Sequence, residues 1–488
     1  MHPHQAYRFE LDPNNVARSA LASHAGAARF AYNWGRARVI ADIEALRVLT
    51  ILAVRQGATG NEAKAWATEA LDPMRWNLPA LRREWNAAKA EVAPWWATNS
   101  KEAYNSGLDG LARGLDAWSR SRHGQRKGRP VGFPRPHRRH ARRSFRVTTG
   151  AFGVIDHRHV RLPRIGVIRT KEPTTRLGAG SARILSVTVS ESAGRWYASF
   201  GCEVERPEAV LAQPDAVVGV DVGVGSLAVV STGEVIANPK HGSRYARRMA
   251  RFQRQCSRRQ GPAKGQAPSK RWGRSKTALG RAHARLTAAR SDGLHKLTTA
   301  LASTYGRLVI EDLNVAGMTA SAKGSWHWRG KAGLNRAVLD VAPATLARQL
   351  AYKCAWYGST LVVADRWYPS SKTCSTCKTV KTKLSLAERS YRCEHCGLVI
   401  DRDFNAALNL ASLVEAIEPN GTASGAGTST LLRRGSCANG RGEERSMGSP
   451  RCSSTNRQDG TSRSRPDRTV TATRQRVAPK PVFVQSDR

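Results

Sequence analysis

Four cysteines form two closely spaced pairs in the last third of the chain before a Gly- and Ser-rich end. Cys374-x-x-Cys377 is followed, after 15 residues, by Cys393-x-x-Cys396. Two such pairs supply the four thiolates of a tetrahedral Zn²⁺ site, and the length between them suits a β-hairpin. Because all four ligands are cysteines, no position is left open for an activated water, so the sequence predicts a structural zinc ribbon. Gly397 allows the backbone to turn tightly after the second pair.

Acidic residues stand at the ends of apolar strands and at the start of a helix. Asp221 interrupts the apolar segment AVVGVDVGVG, Glu311 ends the apolar run of RLVIEDLNV, and Asp403 lies where the helix FNAALNLASL begins. An ionised carboxylate in an apolar strand is costly unless a cation compensates for its lost hydration. Three acids that converge could hold two Mg²⁺ ions, which activate a water on one side of a phosphodiester and stabilise the leaving oxygen on the other.

Each acid also has a simpler interpretation. Asp221 could pair with one of the many arginines, and Glu311 with Asp312 could form a solvated strand end. Asp403, or its neighbour Asp401, could simply cap the following helix. The order of these acids on a strongly basic chain, with a zinc ribbon before the last one, favours the metal site. Asp403 is the preferred third ligand and Asp401 is the alternative.

The charge of the whole chain is strongly positive. The 488 residues include 79 lysines and arginines against 37 aspartates and glutamates, a formal net charge of +42. Self-repulsion from such a charge destabilises a compact state unless polyanions neutralise it, and nucleic acid is the expected polyanion. An arginine-rich proteome would raise the count of cations but would not double it over the acids. The length favours two to four domains.

A basic strip from Ser119 to Arg146 concentrates this charge. Its sequence, SRSRHGQRKGRPVGFPRPHRRHARRSFR, holds no acid, and its prolines and glycines exclude a long helix. An extended segment of this kind suits a sugar–phosphate backbone, and a basic linker is the simpler alternative. The candidate nucleic-acid-binding residues are Arg126, Lys127, Arg129, Arg135, Arg138, Arg139, Arg142, Arg143 and Arg146, together with Lys372 in the ribbon.

The elements that must position these groups follow from periodicity. Apolar residues at helical spacing predict helices over 17–118, and alternation with a period of two predicts short strands over 144–205 that suggest a small β-barrel. The segment AYRFELDP is a candidate further strand of that barrel, with the helices inserted between. Residues 215–370 alternate strands with basic helices, which predicts an α/β unit. The Gly-, Ser- and Arg-rich composition of 419–488 predicts a disordered basic tail.

Membrane and export signals are not found in the sequence. No apolar run reaches the roughly 20 residues that a bilayer requires, and the segment MHPHQAYRFELDPNN lacks the apolar core of a signal peptide. Two C-x-x-C pairs among nine cysteines favour metal thiolates in a reducing cytosol over disulfides. We therefore expect a cytoplasmic, nucleoid-associated prokaryotic protein without membrane contact.

Several phrases together resemble the TnpB family, transposon-encoded RNA-guided nucleases related to the type V CRISPR effectors. The most specific are VVGVDVGVGSLAVVSTGE, LVIEDLNVAGM, YPSSKTCSTC and RSYRCEHCGLVIDRDFNAALNLA, and GRPVGFPR, SFR and GRWYASF upstream are also similar to the family. The likeness covers roughly residues 5 to 415. The chain departs from the family in two places: Lys378 stands where many relatives have Gly, and the tail exceeds what a nuclease core needs.

The resemblance implies a multidomain α/β fold with a β-barrel. An RNase H-like RuvC nuclease domain would occupy 214–370 and 401–418, with the zinc ribbon at 371–400 as a target-nucleic-acid-binding insertion. A wedge-type β-barrel would form from 1–16 and 119–213, and a helical recognition lobe from 17–118. The resemblance also implies that Asp221, Glu311 and Asp403 are the catalytic, Mg²⁺-binding triad.

The favoured function is that of a Mg²⁺-dependent DNA endonuclease guided by an RNA from the transposon end. Such a protein cuts double-stranded target DNA next to a short flanking motif, and a monomer is the favoured oligomeric state. An RNA-guided protein that represses without cleavage is one alternative, which the presence of all three acids disfavours. A transposase that performs strand transfer with a similar acid triad is the other, and assays with transposon ends would separate the two.

Overall fold

The structure, a computed structural model, describes most of the chain before residue 416. The described residues are 4–71, 76–126, 128–138, 143–178, 182–206, 209–263, 265–321, 328–385, 387–415 and 432–434. The predicted disordered tail at 419–488 therefore lies outside the described residues, apart from a three-residue strand at 432–434. Within the described ranges, no helix has an apolar stretch of the length needed to cross a bilayer.

The first part of the chain is a group of helices that follows one strand. These helices are α1 (Asn15–Arg55), α2 (Gly60–Leu71), α3 (Leu78–Val92), a short 3-10 turn (Trp96–Thr98) and α4 (Lys101–Arg122). Polar residues fix the helix starts, because Asn14 Oδ1 accepts from the Ala17 N–H (2.8 Å) and the Ser100 hydroxyl caps α4. The helices occupy the segment that periodicity predicted as helical.

A seven-stranded antiparallel sheet packs against these helices. Its strands are β1 (His4–Asp12), β2 (Ser144–Val147), β3 (Gly153–Asp156), β4 (His159–Leu162), β5 (Gly166–Thr170), β6 (Ala182–Ser192) and β7 (Arg195–Val204), and a single turn of helix, α5 (Thr175–Gly178), precedes β6. The strand order is β2-β6-β7-β1-β5-β4-β3, so β2 and β3 lie at its two ends. The helices are inserted between β1 and β2, and Leu108 and Phe145 belong to the core shared by helices and sheet.

A second, mixed sheet forms the C-terminal half. Its strands are β8 (Gln213–Asp221), β9 (Ser226–Val230), β10 (Val235–Ala237), β11 (Tyr305–Glu311), β12 (Thr360–Ala364) and β15 (Leu432–Arg434), in the order β10-β9-β8-β11-β12-β15. The three central strands, β8, β11 and β12, run parallel. Their carboxyl ends therefore meet at one edge of the sheet, which is the usual place for a ligand site in such sheets.

In the described part of the chain, six helices accompany this sheet. They are α6 (His241–Ser257), α7 (Lys270–Thr304), α8 (Val315–Met318), α9 (Trp328–Val341), α10 (Pro343–Tyr357) and α11 (Arg402–Glu415). Leu301 of α7 and Leu346 and Leu350 of α10 are buried in one core with Leu308 of β11. The strands β13 (Ser390–Arg392) and β14 (Val399–Asp401) form a separate antiparallel pair in the cysteine-rich segment just before α11.

The last helix touches the central strand at backbone distance. A Cβ atom at Gly219 of β8 would lie 2.0 Å from the carbonyl oxygen of Ala407 and 2.6 Å from the amide nitrogen of Ala411. Real Cβ atoms do not approach other atoms so closely, so the packing of α11 on β8 requires glycine at this position. This contact fixes the start of α11 relative to the end of β8.

Candidate active site and metal centre

The sheet places Asp221 and Glu311 side by side. Asp221 is the last residue of β8 and Glu311 is the last residue of β11. The two strands are parallel neighbours with Val220 opposite Ile310, so the next residue of each strand carries an acid at the same edge. Two carboxylates from separate segments are thus brought together by strand pairing alone.

Asp403 joins this pair from the first turn of α11. A Cβ atom at Gly223 would lie 3.8 Å from Asp403 Oδ2, so the segment after β8 runs beside this carboxylate. Burial, and after it the negative charges of Glu311 and Asp403, raise the pKa of Asp221 to about 8. Asp221 therefore interacts with both of the other acids that were selected from the sequence.

Asp401 has a different role in the structure. Its Oδ1 accepts hydrogen bonds from the backbone N–H groups of Asp403 (2.9 Å) and Phe404 (3.0 Å), and its side chain is exposed. These contacts are those of a helix N-cap. The geometry thus separates the two acids of the D-x-D phrase: Asp401 begins the helix, and Asp403 faces Asp221.

Glu311 has two neighbours that favour its charged form. The hydroxyl of Ser370 donates a hydrogen bond to Glu311 Oε1, and the guanidinium of Arg402 lies near enough to act on the carboxylate. Burial nevertheless raises the pKa of Glu311 above its ordinary value, since it outweighs both effects. The adjacent Asp312 is occupied by an ion pair with Arg366 (2.7 Å) and is set apart from the site.

The four cysteines form a compact group of metal ligands. Their four sulfur atoms all lie within 4.8 Å of one another. Among the described residues, this is the one group of histidine, cysteine or acidic side chains close enough together to hold a single metal ion. The Sγ atoms of Cys374 and Cys396 are 3.6 Å apart, and those of Cys377 and Cys393 are 3.5 Å apart. Four sulfurs at 2.3 Å from a tetrahedral Zn²⁺ would be about 3.8 Å apart. The cluster therefore has nearly the dimensions that zinc requires.

The two turns of the cluster have the backbone that thiolate ligation needs. Gly397 has φ +75°, as the sequence suggested, and Lys378 adopts the same left-handed region with φ +60°. The Lys378 ammonium donates to the Ser412 hydroxyl of α11 (3.1 Å), which gives this non-glycine residue a tertiary contact. The Thr379 hydroxyl lies 3.3 Å from Cys377 Sγ. Hydrogen bonds with this hydroxyl, with the Thr379 backbone and with the neighbouring thiols lower the pKa of Cys377 to about 5, which favours the thiolate.

The carboxylates are more widely spaced than the thiols, since their ligand oxygens do not all fall within the 4.8 Å that encloses the cysteine group. A two-metal site has ions about 3.5–4 Å apart, and its ligands spread over both ions. Carboxylate oxygens are the ligands that Mg²⁺ prefers, and a cation would offset the repulsion of Asp221 by the other two half-buried acids. The donor set thus fits divalent metal ions better than it fits an ion pair.

Two buried asparagines connect the cysteine segment to the helix that carries Asp403. Asn405 Nδ2 donates to the Thr373 carbonyl (2.7 Å), and Asn405 Oδ1 accepts from the Ser375 N–H (3.0 Å). Asn409 Nδ2 donates to the carbonyls of Ser370 (2.9 Å) and Thr373 (2.6 Å). We call Asn405 and Asn409 the amide clamp. Both are fully buried, so these bonds have no competition from water.

The amide clamp and Ser370 form a continuous path between the two groups of ligands. Thr373 immediately precedes Cys374, and Ser370 bonds both Asn409 and Glu311. Arg402 adds a second link, because its Nη1 donates to the carbonyls of Ser385 (3.3 Å) and Glu388 (3.4 Å) while its charge lowers the pKa of Asp221 and Glu311. Sequence reasoning missed these residues. The polar positions in the motif DRDFNAALNLA were the available signal.

Residues 131–138 of the basic strip lie along α1 in an extended conformation. Its backbone carbonyls at Pro134, Arg135 and His137 accept hydrogen bonds from Arg36, Tyr32 and Asn33 (2.7, 3.1 and 3.0 Å). The His137 ring stacks on Tyr32 with ring centroids 3.6 Å apart. The strip is therefore docked by its backbone, and the side chains of Arg129, Arg135 and Arg138 remain exposed.

The other basic candidates fall into three groups. Arg143 pairs with Glu191 (3.1 Å) and Arg146 bonds Ser186 (3.0 Å), so both hold the antiparallel sheet together. Arg126 and Lys372 bond nearby carbonyls, those of Arg129 (3.1 Å) and Thr382 (3.2 Å). Lys127, Arg139 and Arg142 lie outside the described residues.

Three family models match the chain. One described as "Cas12f1-like, TNB domain" matches residues 344–410, one described as "Probable transposase" matches 199–322, and one described as "Helix-turn-helix domain" matches 1–42. The described residues of that last range hold β1 and the first part of α1, a strand followed by one long helix.

Curated relatives match along most of the chain. "Putative RNA-guided DNA endonuclease MT2953" of Mycobacterium tuberculosis is 39% identical over 434 residues, 84% of this chain and 86% of the relative. "Putative RNA-guided DNA endonuclease InsQ" of Escherichia coli is 29% identical over 419 residues, 85% of this chain and 93% of the relative. A solved structure, "Cryo-EM structure of the Cas12f1-sgRNA-target DNA complex", is a distant likeness, with a TM-score of 0.40 and 13% identity over 84% of this chain and 99% of that chain.

Proposed function

The chain belongs to the TnpB family of RNA-guided DNA endonucleases, and from this premise we propose that it is a guided, Mg²⁺-dependent DNA endonuclease of a transposable element. Pairing between a bound guide RNA and one DNA strand would select the target, and the protein would read a short flanking motif and the shape of the heteroduplex. The observation that carries the proposal is the approach of Asp221, Glu311 and Asp403 at one edge of the mixed sheet.

In this proposal the three acids hold two Mg²⁺ ions. Bound there, the ions would supply an activated water and charge stabilisation at the leaving oxygen of a phosphodiester. The protein's own contribution is orientation: Ser370 fixes one oxygen of Glu311, and Asp401 fixes the start of the helix that presents Asp403. Arg402 reduces the mutual repulsion of the acids, since its charge lowers the pKa of Asp221 and Glu311.

The other regions support this chemistry as binding elements. We propose that the cysteine group holds a structural Zn²⁺ and that the ribbon around it contacts target nucleic acid, as the match to a TNB domain model suggests. The antiparallel sheet would act as the wedge-type barrel and α1–α4 as the recognition lobe. The exposed arginines of the docked basic strip would contact phosphates. A cytoplasmic, nucleoid-associated location belongs to the same proposal.

The decisive experiment starts from the RNA that copurifies with the full chain. That RNA is sequenced, and a plasmid matching its 3′ end beside a randomised flank is offered with Mg²⁺. We expect double-strand cleavage next to one enriched flanking motif, and loss of cleavage in Asp221→Asn. Protein that purifies without RNA, or cleavage that survives Asp221→Asn, would refute the proposal. Guided binding without wild-type cleavage would instead favour a repressor.

A strand-transfer function is the second candidate, because the model that matches residues 199–322 is described as "Probable transposase". Both reactions would use the same acids, so the test must follow the product. Labelled transposon ends are incubated with the protein and a target plasmid. Joined products without any guide RNA would favour the transposase; cleaved, unjoined DNA that depends on the guide would favour the endonuclease.

A further inference from the structure

A second candidate site lies where the antiparallel sheet meets α6 and α7. A cavity of about 600 Å³ opens there between the start of β7 and the two helices. The turn before β7 forms one wall, because a Cβ atom at Gly194 would lie 3.4 Å from Thr277 Cγ2 and 3.9 Å from Arg281 Nη2. We call this cavity the arginine groove, after the five arginines that line it: Arg195, Arg248, Arg274, Arg281 and Arg285.

The helices bring these arginines together from two directions. Arg274, Arg281 and Arg285 are seven and four residues apart on α7 and thus share one face of that helix. Arg248 reaches the cavity from α6, with its guanidinium 5.9 Å from the centroid of the Phe252 ring. These four side chains belong to exposed residues, so they can reach a ligand in the groove.

The charge of the groove is not neutralised by the protein. Arg195 pairs with Glu10 (2.8 Å), but the other four arginines form no ion pair with an acid in the described part of the chain. The hairpin from 241 to 291 holds 15 lysines and arginines and no aspartate or glutamate. Unneutralised cations around one cavity repel one another, most strongly where they lie within the screening length of about 8 Å at physiological salt.

We propose that the arginine groove binds the sugar–phosphate backbone of a nucleic acid. One guanidinium group can donate two parallel hydrogen bonds to the oxygens of a phosphate. Several guanidinium groups around one concave space match the repeating negative charges of a sugar–phosphate backbone. The proposed function enters this assignment at one point: it identifies the nucleic acid as guide RNA or target DNA. The site is separate from the basic strip and the ribbon, where the sequence placed nucleic-acid contacts.

The test compares two triple variants of the full chain that lose the same charge. The first, Arg274→Gln with Arg281→Gln and Arg285→Gln, empties one side of the groove. The control, Arg113→Gln with Arg120→Gln and Lys296→Gln, removes three helical cations that already pair with Asp109, Asp116 and Asp292. Glutamine keeps a helix propensity close to that of arginine and lysine, so both variants should fold.

Dissociation constants are measured for a labelled single-stranded RNA and for a labelled DNA duplex over a range of salt concentrations. For at least one of the two ligands, we expect the groove variant to lower the slope of log K against log salt by about two to three and to raise Kd about 10- to 100-fold near physiological salt. The control should change Kd by less than about threefold, in keeping with weak surface pairs. Loss for RNA alone assigns the groove to the guide, and loss for DNA alone assigns it to the target.

An unchanged slope in the groove variant, or an equal loss in the control, would overturn the proposal. A third variant, with lysine at the same three groove positions, should keep the slope, and a reduced slope there would overturn an assignment that rests on charge. All binding is measured in an Asp221→Asn background, so the result does not depend on cleavage. Failure of guided cleavage in the otherwise wild-type protein would refute the proposed function and leave this measurement intact.

Discussion

The thiol group and the carboxylate group are both candidate sets of metal ligands, yet the chain builds them in opposite ways. The four thiols come from one segment of 23 residues, and their ligand atoms lie within 4.8 Å. The three carboxylates come from two strands and a helix that are far apart in sequence. The thiol group therefore depends on local turns, whereas the carboxylate group depends on how β8, β11 and α11 pack. The amide clamp joins the two.

Removing one carboxylate should have the largest effect. We expect Asp221→Asn to lower the single-turnover cleavage rate about a thousandfold or more, because a charged metal ligand is lost, and to leave zinc content and bound RNA unchanged. The matched control is Asp401→Asn, since asparagine caps a helix as well as aspartate does. A comparable loss in Asp401→Asn would contradict the separation of roles within the D-x-D phrase.

Removing one thiol should have the next largest effect. Cys393→Ser should release the zinc, measured by elemental analysis, because three thiolates hold the ion poorly and its binding energy stabilises the ribbon. Cleavage should fall about 10- to 100-fold, since the clamp loses the ordered segment that it binds. The control is Cys202→Ala, which removes a thiol of β7 outside the four-cysteine group, and this protein should retain zinc. Unchanged cleavage in zinc-free protein would show that the carboxylate group does not need the ribbon.

Breaking the amide clamp should separate the two groups while both persist. Asn409→Leu leaves the Ser370 carbonyl without its side-chain donor and the Thr373 carbonyl with Asn405 alone, and we expect cleavage to fall about tenfold with zinc retained. A shift in the Mg²⁺ concentration for half-maximal cleavage would distinguish repositioned ligands from a general loss of stability. Ser412→Ala, on the same helix, should change the rate less than about twofold. Equal effects of the two variants would remove the clamp from the mechanism.

The smallest expected effect is on the pH dependence of the free energy of unfolding in the absence of metal ions. Burial, together with the charges of Glu311 and Asp403, raises the pKa of Asp221 from its ordinary 3.8 to about 8, so the folded state binds a proton that the unfolded state releases. The contribution of Asp221 to stability should therefore be present below about pH 4 and be lost as the pH rises through about 8. Urea unfolding in EDTA measures this slope, and Asp221→Asn should flatten it. The exposed Asp292→Asn serves as control, and identical slopes in all three proteins would contradict the burial of the site.

Local patterns predicted the parts of the molecule that depend on neighbouring residues. The period of two in β7 and the acids at the ends of β8 and β11 follow from sequence, and so does the tight turn at Gly397. The strand AYRFELDP was predicted beside later strands, and the structure pairs β1 with β7.

Long-range packing produced the features that sequence reasoning did not predict. The helix α9 was not predicted, and the Ser370–Glu311 bond depends on a loop 59 residues away from its partner. The arginine groove needs two helices and a turn from another sheet, so a count of cations could not locate it. Similarly, the docking of the basic strip on α1 depends on the Tyr32, Asn33 and Arg36 side chains, which helical periodicity alone does not single out.

Because Gly219 has no side chain, it influences the spacing of the three acids although it is not one of them. Alanine at this position would force β8 and α11 apart. Overpacking of this kind typically lowers the free energy of unfolding by about 1–3 kcal/mol. The displacement of α11 would increase the distance between Asp221 and Asp403 without altering either residue. The two nearest atoms are the backbone oxygen of Ala407 and the backbone nitrogen of Ala411, so a smaller side chain at either position would not relieve the contact and α11 itself would have to move. The spacing of the proposed catalytic acids would thus depend on a single methyl group at position 219.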